Sequence, residues 1–224
     1  MERTLVGKRI AFLVADGVER DDVQVLKTEL EKAGANVELV AASDAQEVST
    51  VRGLDRAEPL PVHRTVDEVE VIDFDGLVIP GGSVSVDTLR ISSEAVNLIR
   101  DFVHAQDPSD KLVAAVGLGP RLLVEAGVVS GRVLAGAPSL QTDARNAGGA
   151  YVEDDVKVDG CLITGRGGDA LPELAKRLVS AFAAGQAPGA AAAAGHANVP
   201  PAKLDEMVEE TFPASDSLPP PTRS

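Results

Sequence analysis

The chain contains one cysteine, Cys161, three histidines, no tryptophan and one tyrosine, and aromatic residues make up only 3% of it. A single thiol forms no internal disulfide. With His63, His104 and His196 spread along the chain, it assembles neither a zinc site nor an iron–sulfur cluster. No metal and no cofactor are therefore expected. The shortage of aromatic side chains removes the stacking platforms on which single-stranded nucleic acids bind. Positive charge is also short: 21 lysines and arginines stand against 35 acidic residues, a net charge of -14. The average surface field repels a phosphate backbone, so no nucleic-acid partner is expected. No uncharged apolar run approaches the ~20 residues of a membrane span, and the first residues carry Glu2, Arg3, Lys8 and Arg9 with no signal-type apolar block. The expectation is no membrane partner and a cytoplasmic location.

What the chain does have is 224 residues, 44% apolar and 25% charged, enough for one large domain with a core of its own built on Val, Leu, Ile and Ala. Composition changes near Gly185, which divides the sequence into a domain over 1–185, a linker over 186–203 and a short acidic tail over 204–224. The linker is rich in Ala, Pro and Gly and buries little. In the tail, Leu204, Met207, Val208 and Thr211 fall at helical spacing opposite Asp205, Glu206, Glu209 and Glu210, up to Pro213. Residues 204–216 thus have three options: to dock back on the domain, to dock on a partner, or to stay solvated.

Within the domain, residues 9–14 (RIAFLV) form a continuous apolar run, followed by Asp16-Gly17. Helical spacing then runs through Val25, Leu26, Leu30 and Ala33 to Gly34. Further strands are expected at 37–41, 74–79 and 112–116, and further helices at 94–104, 119–126 and 171–184. Strand and helix alternate, so the fold class is α/β: a flavodoxin-like, doubly wound parallel sheet sandwich, one domain plus the C-terminal tail. Residues 47–62 and 151–163 are expected as hairpins outside the main sheet.

In such a sheet, ligands bind beyond the carboxyl ends of the strands. Three turns qualify: residues 15–19, 80–83 and 117–120. The third is a strand-to-helix elbow of the kind that presents a nucleophile in many hydrolases, and its apex is Gly117. The pair Gly81-Gly82 and the Gly-x-Gly at 117–119 lack the spacing of a dinucleotide fingerprint, so no nucleotide is expected.

Several segments, in order and at nearly unbroken spacing over residues 8–184, resemble the PfpI family within the DJ-type and class I glutamine-amidotransferase-like superfamily. They are Ala15-Asp16-Gly17-Val18-Glu19, Val78-Ile79-Pro80-Gly81-Gly82, Asp87-Thr88-Leu89-Arg90, Gly119-Pro120 with the stretch 123–132, and 138–149. The resemblance implies intracellular, cysteine-peptidase-like proteins, usually dimers or higher homo-oligomers, with roles in stress protection or protein quality control. The family elbow reads Ala-Ile-Cys-His-Gly-Pro, whereas this chain reads Ala115-Val116-Gly117-Leu118-Gly119-Pro120. Glycine has no atom that attacks a carbonyl, and leucine neither takes a proton nor holds an imidazolium beside a thiolate.

Glu19 matches the family glutamate that accepts a hydrogen bond from the thiol. Its other reading is a helix N-terminal carboxylate. Asp87 matches an acidic position that reaches a neighbouring subunit's site in some members. Its other reading is a helix cap. Cys161 lies off the elbow and reads as an ordinary strand cysteine. No histidine carries a motif that would place it beside Ser83, Ser85 or Ser139 for a serine triad.

The expected pocket is Glu19, Gly81, Gly82, Gly117, Leu118 and Gly119, with no catalytic group intact. The resulting expectation is a catalytically degenerate, non-enzymatic binding protein or stress-associated scaffold that forms a homo-oligomer and takes a small-molecule ligand. The alternative is residual hydrolase, glyoxalase-like or deglycase-like activity through Glu19 as a general base.

Overall fold

A computed structural model of the chain describes residues 4–105 and 111–184. The expected linker and tail lie outside the described residues.

The chain begins with strand β1 (Arg9–Val14), the short strand β2 (Val18–Glu19), helix α1 (Arg20–Lys32) and strand β3 (Asn36–Ala41). The hairpin β4 (Glu47–Arg52) and β5 (Asp55–Pro61) follows, then β6 (Arg64–Thr65) and β7 (Gly76–Ile79). Helices α2 (Ser83–Arg90) and α3 (Ser93–Val103) lead to β8 (Leu112–Val116) and α4 (Pro120–Glu125). The last part holds β9 (Val133–Leu134), α5 (Gln141–Asn146), β10 (Ala150–Tyr151), β11 (Val156–Asp159), β12 (Leu162–Gly165) and α6 (Leu171–Ala184).

Seven strands form the main sheet in the order β11-β12-β8-β7-β1-β3-β6, parallel throughout except for β11 at one edge. Taken as five successive strands, β1, β3, β7, β8 and β12 lie in the order 2-1-3-4-5, which is the flavodoxin-like winding. The strands are apolar at nearly every position because both faces are covered. Ile10, Phe12, Val14, Val78, Ala114 and Val116 face α1 and α6. Their neighbours Ala11, Leu13, Leu77, Ile79, Val113 and Ala115 face the side of α2, α3 and α4.

The hairpin β4–β5 stands outside the main sheet as expected and pairs with β2 in a three-stranded sheet of its own. Residues 151–163 do not follow the expectation. β12 is the fifth parallel strand, in register with β8 through Leu162↔Val113 and Thr164↔Ala115, and β11 folds back on it antiparallel. All four residues of β12 are buried, so it has no polar alternation to show and reads from sequence as a mere hairpin arm. The turn Asp159-Gly160 sits at the sheet's edge, with Cys161 buried just after it.

Helix α2 is also new relative to the sequence reading. It makes Asp87 an exposed mid-helix residue, its carboxylate 3.8 Å from the Arg90 guanidinium. Asp87 is therefore not a cap. That role falls to Ser92, whose Oγ accepts from Ala95 N–H (3.2 Å) at the start of α3.

Candidate functional site

Four loops leave the carboxyl edge of the main sheet side by side, after β1, β7, β8 and β12, and enclose a cleft of about 380 Å³. Glu19, Gly81, Gly82, Gly117 and Leu118 line it, together with Asp21, Asp22, Val51, Gly53, Ser83 and the loop residues Arg166, Gly167 and Gly168. Gly119, the remaining expected pocket residue, is buried behind them, where its N–H closes on Val116 O (2.8 Å).

The elbow is fixed by its backbone. Gly117 N–H donates to Gly165 O (2.9 Å) and its carbonyl accepts from Ala137 N–H (2.8 Å), which holds φ at +61°. L side chains rarely adopt this conformation, so it favours glycine. The space is nonetheless open: a Cβ on Gly117 would meet nothing closer than Asp22 Oδ2 at 3.7 Å. The elbow thus keeps the bend and the room for a reactive side chain while carrying none. Leu118 follows, half-buried, with no backbone acceptor for its N–H among the described residues.

The carboxylate beside this bend is Asp22. Asp22 is 4% exposed, and its Oδ2 accepts from Gly81 N–H (2.8 Å). A Cβ on Gly167 would stand 3.6 Å from its Oδ1. Burial raises its pKa to about 6 against the lowering effect of the Gly81 hydrogen bond, and the charges of Glu19 and Asp21 raise it further. Near neutrality this group sits within reach of both protonation states, as proton-transfer groups do.

Glu19 stands at the cleft rim. It occupies the residue before α1 but caps nothing with its side chain, and its Oε2 accepts from Gly53 N–H (3.2 Å) on the β4–β5 hairpin. That hairpin is held against the site by Asp16, whose Oδ1 accepts from Ser49 N–H (2.7 Å) and Ser49 Oγ (2.8 Å). Arg52 at its end pairs with Asp21 at 2.8 Å.

The sequence reading did not single out Asp22, although the signal was present. Asp22, Leu26 and Leu30 fall four apart on the buried stripe of α1, and an aspartate is almost never fully buried unless paired. The loop 166–168 was missed because β12 was not recognised as a sheet strand. Ser85 is buried, and its Oγ accepts from Ala15 N–H (3.0 Å), tying α2 to β1. His63 accepts from Leu39 N–H through Nδ1 (3.0 Å) on the far side of β1, and His104 is exposed at the end of α3. His196 lies outside the described residues. Among the described residues, no group of three His, Cys, Asp or Glu side chains is placed to hold a metal ion.

A flavodoxin-like sheet whose β8–α4 elbow stands over a buried carboxyl defines an α/β protein of the nucleophile-elbow kind. The chain belongs to the DJ-1/PfpI family, whose model matches residues 8–181. It is 34% identical over 168 residues to Protein/nucleic acid deglycase 2 of Escherichia coli, covering 75% of this chain and 93% of that protein. It is 30% identical over 168 residues to General stress protein 18 of Bacillus subtilis, with the same shares covered. Among solved structures, it resembles a two-domain protein of Anabaena variabilis with DJ-1/ThiJ/PfpI-like and ferritin-like domains. The TM-score is 0.70 at 29% identity, over 77% of this chain and 47% of that one. Schizosaccharomyces pombe DJ-1 has a TM-score of 0.68 at 17% identity, over 79% of this chain and 96% of that one, and supports the fold alone. Among the described residues, no helix is long and apolar enough to cross a membrane.

Proposed function

We propose that this chain is a catalytically silent member of its family that works by non-covalent binding in the cleft, as a cytoplasmic, stress-associated scaffold that self-associates. The observation that carries this reading is Gly117: the apex of the elbow, at φ +61°, has no side chain and is followed by Leu118. Neither residue offers a nucleophile or a proton acceptor. The similarity to a Bacillus subtilis protein called a general stress protein supports the stress association.

The test uses the room left at the elbow. Wild-type protein incubated with methylglyoxal is expected to show no turnover. The double variant Gly117→Cys, Leu118→His is expected to gain it, because a Cβ at 117 meets no atom closer than 3.7 Å. Turnover by the wild type at a rate matching the double variant defeats the silent reading.

One observation favours a second reading, residual aldehyde or acyl chemistry by proton abstraction. It is the buried carboxyl of Asp22, with its pKa raised to about 6 beside the elbow. This reading places the general base at Asp22 in preference to Glu19, whose carboxylate is turned toward Gly53 at the rim. It requires wild-type turnover that disappears in Asp22→Asn and survives in Glu19→Gln.

A further inference from the structure

The cleft holds carboxylates that no counter-charge among the described residues balances. Asp21 has Arg52 at 2.8 Å, but neither Asp22 nor Glu19 has an ion-pair partner among the described residues. Asp22 is 4% exposed, and only its Oδ2 is used, by Gly81 N–H. Its Oδ1 receives no hydrogen bond from the described residues and belongs to a side chain that lines the cleft. The cation of Arg166 is exposed and reaches toward Glu153 O (3.5 Å), not toward this carboxyl. A buried carboxylate without a counter-charge is costly, and a bound cation removes that cost. A bare metal ion does not fit, since no third acidic or imidazole ligand is positioned for one among the described residues. Apolar surface completes the site: Val51 and Leu118 are half-buried, and Leu171, largely buried, also lines the cleft.

The geometry points to a site for a small alkylammonium ion, its head on Asp22 Oδ1, the charge of Glu19 at the rim adding to its attraction, and its chain along Leu118, Val51 and Leu171. An ammonium has three N–H donors. Beside Asp22, the carbonyl of Arg166 is an acceptor for one of them, 3.9 Å from the position a Cβ on Gly117 would take. Glycine at 117 leaves that position free for the head group, and leucine at 118 supplies the apolar contact. The inference rests on the non-covalent binding reading above and names the ligand class of that site. One feature opposes it: the Leu118 N–H, a donor that suits an anionic oxygen. The isosteric carboxylate is therefore the decisive competitor.

The test is a titration of the full-length protein, isotopically labelled, with n-butylammonium chloride at pH 7.5. It is compared with sodium valerate, and with sodium chloride at equal ionic strength. The expected result is a saturable shift of the Gly81, Leu118 and Gly167 amide resonances with n-butylammonium alone. The groups that set the pH dependence are Asp22 itself, Glu19 and Asp21 beside it, Arg52 on Asp21, and Arg166 at the rim. With Asp22 at about 6, lowering the pH to 5 protonates it to about nine-tenths and weakens binding about tenfold. Asp22→Asn, checked for an unchanged amide spectrum away from the cleft, should weaken binding at least fivefold, and Glu19→Gln serves as the second variant. Valerate binding as tightly as n-butylammonium overturns the inference. So does the absence of any shift, or an affinity unchanged in both variants. These outcomes are separate from the silent reading, which is decided by aldehyde turnover of the wild type.

Discussion

Asp22 is the residue on which stability and site chemistry meet. Its folded-state pKa of about 6 exceeds the ordinary 3.8, so the folded chain binds the extra proton between those values. The stability this proton confers is complete below about 3.8 and is lost as the pH rises through about 6. Asp22→Asn keeps an acceptor for Gly81 N–H and removes the ionisation. The variant should therefore be more stable than wild type at pH 8, on the order of 2 kcal/mol or roughly 4–8 °C in melting temperature, with the difference vanishing near pH 4. Thermal melts of both proteins across that range check it, and a gap independent of pH refutes the cause. At Gly117 the argument is conformational: Gly117→Ala meets no clash but must hold φ at +61°, costing about 1 kcal/mol in urea unfolding. The elbow glycines were legible in the sequence because a turn sequence declares itself locally. For Asp22 only its place on the stripe of α1 is local; the loops that bury it, at Gly81 and Gly167, lie up to 145 positions away.

At the scale of elements, the sheet rests on close approach between α6 and β7. Phe182 is 3% exposed and lies across Gly76, where a Cβ would overlap the ring and come 2.8 Å from Leu112 O. Phe182→Ala should cost about 3–5 kcal/mol through the cavity it leaves, and Gly76→Ala roughly 1–3 kcal/mol through overpacking. The two are coupled: once the ring is gone, the added methyl loses its main obstacle, so Gly76→Ala should cost about 1 kcal/mol less in the Phe182→Ala background. Urea denaturation of the four proteins measures this, and strict additivity would show that the contact with Leu112 O dominates instead. The strands β1, β3 and β8 and helices α1, α3 and α6 were readable because apolar runs and 3.6-residue spacing are local signals. Helix α2 escaped because it is only eight residues long and a serine, Ser85, shares its buried stripe with Val86 and Leu89, its hydroxyl satisfied by Ala15 N–H. β12 escaped because its pairing with β8 spans about fifty residues, a relation no local pattern carries.

For the whole molecule, charge is the property that sequence alone fixes and that acts at long range. Residues 185–224 hold five acidic and two basic residues, so residues 1–184 carry -11 of the net -14. A compact body with that excess repels itself, and the repulsion is relieved when salt shortens the Debye length from about 30 Å at 0.01 M to about 8 Å at 0.15 M. Raising sodium chloride over that interval at pH 7.5 should therefore increase the melting temperature by a few degrees. The paired charges Lys8–Asp75 and Arg64–Asp73 work in the opposite direction, since screening weakens them, but both are partly exposed and contribute little. The same measurement at pH 4.6, the sequence isoelectric point, should show the salt gain gone, because the self-repulsion is then close to zero. A salt dependence of equal size at both pH values would mean that ion-specific binding, not net charge, governs the response.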